Sequence, residues 1–268
     1  VKRFVPSQSL KVISLAIVLA LGVTHGQLGA AQDGTSAAAY PKGPGSLEGV
    51  WINAKYLSTA RYTARERAIR TSDGASPPLL PAAAALLEKR LADDMDKGKA
   101  FGNTVSQCLP GGMPEMMFGS SQYPVQILEN AGQVTVLFEE QNHFSIIFLN
   151  STHPKDPDPS YMGHSVGHWE GDTLVVDTIG LNDHTTIDMV GTPHTEALHL
   201  VERMRRIAKD QLEITVRLED PGAFSKPWEA KTTYKPAPAM KQHIEEYICE
   251  NNRNEPDANG HTTFGHAN

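Results

Sequence analysis

The stretch "GHSVGHWEGDTLVVDT", Gly163 to Thr178, decides how this chain folds. Two strand-like runs flank Glu170-Gly171-Asp172, where the glycine takes the positive φ that a tight hairpin turn needs. Two strands joined by such a turn pair antiparallel. Counting by twos from it places His164, Val166 and His168 on one face, and Ser165, Gly167 and Trp169 on the other. Histidines four apart on a straight strand have Cα atoms ~13 Å apart at the strand rise of ~3.3 Å per residue, too far to share one metal ion. If His164 is chemical, its partners come from other strands.

Outward from the hairpin the same texture continues. "PVQILENAGQVTVLFEEQNHFSIIFLN" (residues 124–150) reads as three strands, with turns at Asn130-Ala131-Gly132 and Gln141-Asn142. "HPKDPDPSYM" (residues 153–162) is a loop, because its three prolines exclude regular structure. Further strands are expected in residues 194–208, "QLEITVRLED", "WEAKTTYKP" and "KQHIEEYICE", and a first one in "LEGVWIN" (residues 47–53). Between that first strand and Cys108, "PPLLPAAAALLEKRLADDMDKG" begins with proline and carries Leu86, Leu87 and Leu91 before Gly98, which predicts a helix over residues 82–97. Sequential strands with short turns imply an antiparallel up-and-down meander, closed or nearly closed into a barrel. The expected class is therefore mainly β and lipocalin-like, a single domain over residues 46–268 with one N-terminal helical segment.

The start of the chain reads as an export signal. Lys2, Arg3 and Lys11 precede the apolar run "VISLAIVLALGV", and Gly29, Ala30 and Ala31 offer a cleavage region, so residues 1–31 are assigned as a signal peptide and 32–45 as a flexible linker. The apolar run is shorter than the ~20 residues of a spanning helix, and no membrane association is expected after cleavage. Without the leader the net charge of −7 becomes about −10, and with no basic stripe beyond "ERMRR" this argues against nucleic acid as a partner. Cys108 and Cys249 are the two cysteines. In an oxidising compartment they are candidates for a disulfide; two buried thiols or one reactive thiol are the alternatives.

The chemistry-bearing residues cluster around the hairpin and the run "HTEALHLVERMRR" (residues 194–206). Alternation there puts His194, Glu196, Leu198, Leu200, Glu202 and Met204 on one face, and His199 with Arg203 and Arg205 on the other. The first face is mostly apolar and is expected to point inward, taking Glu196 with it, with Glu202 as a further candidate. A buried carboxylate has its pKa raised toward a range useful for acid/base work. For His194, Glu202 and Glu196 the alternative is a solvated strand end. Glu246, between Ile244 and Ile248, is a similar case in the last expected strand, or else an arginine partner. The expected catalytic set is His164, Glu196, His199 and His168. Parity sets His199 against Glu196 unless a bulge intervenes. Expected ligand contacts are Glu246, Asp183 on the loop beyond the hairpin, Met113 in "CLPGGMPEMMFG", and Trp169.

The blocks "MGHSVGHWEGDTLVVDT", "PHTEALHLVER", "DPGAFSKPW" and "EYICENN" resemble, in this order, those of a widespread family of exported bacterial proteins. The resemblance spans residues 108–252. It implies a shared β-rich, lipocalin-like fold and export, and carries over no residue role. No phosphate loop, dinucleotide fingerprint, HExxH or GxSxG is present. Three functions follow as expectations. The first is an exported, cofactor-independent lyase, isomerase or hydratase acting by His/Glu acid/base chemistry on a small, partly apolar metabolite. The second is a non-catalytic binding barrel for a small molecule. The third is a metal-dependent protein using His164, Glu196 and His199.

Overall fold

A computed structural model describes residues 46–57, 68–92, 99–101, 104–105, 108–119, 123–238, 243–249 and 261–263. The expected signal peptide and linker, and the end of the expected helix, lie outside these residues. In chain order the strands are β1 (Gly49–Asn53), β2 (Lys99–Phe101), β3 (Val125–Asn130), β4 (Gln133–Phe138), β5 (His143–Leu149), β6 (His164–Glu170), β7 (Thr173–Ile179), β8 (His199–Ala208), β9 (Gln211–Glu219), β10 (Trp228–Pro236) and β11 (His261–Thr263). Among the described residues one α-helix, α1 (Pro81–Ala92), starts on its proline as expected. Nine strands close into a barrel in the order β1-β10-β9-β8-β7-β6-β5-β4-β3, and β2 pairs with β11 separately.

The alternation that predicts the strands also fills the barrel. Val134, Val136 and Phe138 of β4, Leu200 and Met204 of β8, and Leu212, Ile214, Val216 and Leu218 of β9 are each at most 2% exposed. They belong to one continuous apolar core, packed as protein interiors are. The hairpin turns as expected at Gly171, whose φ is +63°, with Glu170 opposite Thr173. One pairing departs from a pure meander. Strands β5 and β6 run parallel, Phe148 opposite Val166. Parallel neighbours require the chain to travel back the length of a strand before re-entering the sheet. The proline-rich segment 150–163 makes that return, outside the barrel: Pro157 packs on Gly180, and Ser160 bonds the backbone of Gly180 and Asn182 at 2.9 Å.

Loops close one end. Met113, Met116, Met117 and Phe118 are buried there, with Ile187 and Leu198, and the Tyr234 hydroxyl of β10 donates to the Met117 carbonyl at 2.8 Å. The expected last strand is not formed among the described residues: 243–249 make no ladder. They lie instead as a strap. Tyr247 N–H donates to the Asn142 side chain at 3.1 Å, Glu245 N–H donates to Glu139 at 3.1 Å, and Cys249 is disulfide-bonded to Cys108. That bridge spans 141 residues of sequence, so it removes much of the unfolded chain's freedom. Replacing both cysteines with serine is expected to cost about 4 kcal/mol in urea unfolding; a loss below ~1 kcal/mol would mean the strap holds without it.

Candidate functional site

The crossover puts a histidine where the strand pattern has none. On the outer wall, Phe148 of β5, Val166 of β6, Asp177 of β7 and Val201 of β8 lie in one register row. In the next row His164 stands opposite Ile179. The returning segment lays His153 across these rows. Its Nδ1 lies 2.9 Å from His164 Nδ1 and its Nε2 lies 2.9 Å from Asp177 Oδ1. The other carboxylate oxygen, Oδ2, takes His199 Nε2 at 3.0 Å. The result is a hydrogen-bonded line, His164, His153, Asp177, His199.

Its bonding dictates tautomers. A carboxylate only accepts, so both Nε2 atoms facing Asp177 carry hydrogen. A neutral His153 then has a bare Nδ1, which accepts the Nδ1–H of His164. The lone pairs left without a described partner are His164 Nε2 and His199 Nδ1. Burial, and then electrostatic repulsion between its protonated form and the neighbouring His153 imidazole, hold the His164 imidazole below its ordinary value of 6.5, so near neutral pH its Nε2 is a free base. When that nitrogen gains a proton, the Nδ1 proton can pass to His153, and the positive charge comes to rest beside Asp177. The line is accessible, since the His153, Asp177 and His199 side chains are 18%, 39% and 35% exposed. Beside it, Phe148 stacks on His164 with centroids 5.4 Å apart and planes 21° apart, an exposed apolar platform.

Two of the four expected catalytic residues, His164 and His199, thus come together, on the outer wall and not in the barrel. Parity holds for His199, which faces away from Leu200 and Glu202. Glu196 is a correction. It is exposed and precedes β8, because Asp220 fastens Thr195 by its N–H at 2.6 Å and its hydroxyl at 2.8 Å, so the ladder starts only at His199. The carboxyl that the inward face does carry inside is Glu202, 1% exposed. His168 shares the outer face of β6 but bonds Glu170 at 3.2 Å, and Glu170 in turn holds Arg203 at 2.7 Å; it stands apart from the line. Glu246 is also corrected, being exposed and off any strand. Asp183 is exposed on its loop, Met113 is core and not a mouth, and Trp169 packs half-buried against the core.

His153 and Asp177 escaped the sequence reading. For Asp177 a signal existed: the hairpin register sets it opposite Val166, on the His164 face, as an acid within "TLVVDT". His153 sits in a loop, where no periodicity points a side chain anywhere. Because the line is extended, its donors do not converge, and among the described residues no three His, Cys, Asp or Glu side chains form a metal-holding group. In comparisons with protein-family models, curated proteins and solved structures, nothing matches this chain.

Proposed function

We propose that this protein is an exported enzyme that transfers protons to and from a small, partly apolar metabolite, with His164 as the base. The observation that carries the reading is the hydrogen-bonded line from His164 through His153 to Asp177, which leaves Nε2 of a neutral imidazole open beside the Phe148 ring. His153 and Asp177 are positioning residues: they hold the tautomer and receive the charge. The disulfide agrees with an oxidising compartment outside the cytoplasm. A binding barrel with its ligand in the lumen finds no support in the packed interior around Glu202.

The test uses 5-nitrobenzisoxazole, whose ring opening needs only removal of one C–H proton by a base. The protein is expected to accelerate it, with kcat/KM falling as pH drops through a value below 6.5, the ordinary imidazole value from which His164 is lowered. His164→Ala is expected to lower kcat/KM by ~100-fold or more, within the usual range for a general base. Asp177→Asn, which leaves His164 in place but removes the charge behind it, is expected to lower the rate less and to shift the acid limb. Equal rates for the protein and a folded His164→Ala variant would sink the assignment.

A further inference from the structure

The line has a second open end that base chemistry alone does not use. His164 faces Ile179 across the β6–β7 ladder, and the β7–β8 ladder, which pairs Thr178 with Leu200, sets His199 beside Ile179 at its next step. The two imidazoles therefore flank one half-buried isoleucine, two strand spacings apart, or ~10 Å between Cα atoms. Ile179 on β7 lies between them, while Phe148 on β5 covers the far side of His164. Asp177 bonds His199 directly through one oxygen, and reaches His164 through His153 with the other. One carboxylate therefore balances one imidazolium, whichever arm carries it.

We propose, building on the acid/base reading above, that His199 is the acid opposite the His164 base, and that the substrate is a small, flat, uncharged ketone or enone lying over Ile179. In the reacting state His199 is cationic and His164 neutral. His164 Nε2 takes a proton from the carbon next to the carbonyl; the C–H electron pair becomes the C=C bond of an enol. The carbonyl oxygen takes the Nδ1 proton of His199, which is left neutral. The charge gained by His164 passes through His153 to Asp177 as the charge on His199 leaves it, so the network's total charge is unchanged. Returning the proton to the same carbon gives exchange, and to a conjugated one gives isomerisation; neither consumes a co-reactant. An uncharged substrate follows from the neighbouring cations, since Arg203 is held by Glu170 and Arg217 by Glu219.

The measurement is hydrogen–deuterium exchange at the carbon beside the carbonyl of α-tetralone in D2O, followed by proton NMR. The protein is expected to accelerate exchange. His199→Gln, which can still donate to Asp177, is expected to slow it ~100-fold while slowing 5-nitrobenzisoxazole opening by less than ~10-fold, because that reaction needs no acid. Equal slowing of both reactions, or none of either, overturns the role of His199. No catalysed exchange by the unaltered protein overturns the ketone class. Loss of the benzisoxazole reaction from the unaltered protein is the separate failure of the His164 reading.

Discussion

Glu202→Gln is expected to abolish a loss of stability of about 5 kcal/mol that the unaltered barrel suffers as pH rises from below 4.5 to above 8. Glu202 projects from the middle of β8, with Val176 opposite it on β7 and Val216 on β9. Its Oε1 has no hydrogen-bond partner among the described residues. Burial alone pushes its carboxyl from an ordinary 4.5 up to about 8. In the unfolded chain the group loses its proton above 4.5, while the folded barrel keeps it until about 8. The folded state thus binds the extra proton over that window, and stability falls as pH rises through it. At 1.36 kcal/mol per pKa unit the full loss is about 5 kcal/mol. Glutamine keeps the shape without the proton. Urea unfolding at pH 4 and pH 9 decides the matter: parallel losses in both proteins would show that Glu202 does not stand uncharged in the core.

Asp188→Ala is the substitution expected to damage the fold most. The Asp188 side chain, fully buried, accepts from Ile69 N–H at 2.9 Å, Val190 N–H at 3.2 Å, Thr192 N–H at 3.0 Å and the Thr192 hydroxyl at 2.6 Å. It ties residues 188–192 to a segment more than a hundred positions away. Alanine would leave three backbone donors and a hydroxyl without acceptors, at ~1–3 kcal/mol each where burial persists. A loss of ~4 kcal/mol or more is expected, enough to unfold a domain of ordinary stability. An asparagine side chain keeps one of the two oxygens, so Asp188→Asn should lose roughly half as much. Denaturant unfolding of the pair checks both values, and a cost below ~1 kcal/mol for alanine would show that the loop finds other acceptors.

Much of the barrel is legible residue by residue. A period of two and a glycine at the turn are local properties, so the β6–β7 hairpin and the alternation of β4, β8 and β9 follow from the chain itself. So does the shared face of Leu200, Glu202 and Met204; that Glu202 lies inside, and not at a solvated strand end, is decided by the closed barrel. The same logic misplaced Glu196, because alternation says which way a side chain points only while the ladder lasts. The start of β8 is set by Asp220, a residue distant in sequence that captures Thr195. It failed again at residues 243–249, whose alternating pattern serves a strap that is tethered by Cys108 and Asn142.

By itself, then, the sequence determined the class of fold and the hairpin register, which sets Asp177 on the same face as His164. The tertiary structure alone decided which face of the hairpin meets the core, and it buried Ser165 and Gly167, leaving the histidines outside. It also decided the site. The parallel pairing of β5 with β6 forces the intervening loop back across the wall, and that path brings His153 to bridge His164 and Asp177. Strand direction depends on which edges find each other as the barrel closes, a balance of long-range packing that no local stretch of residues encodes.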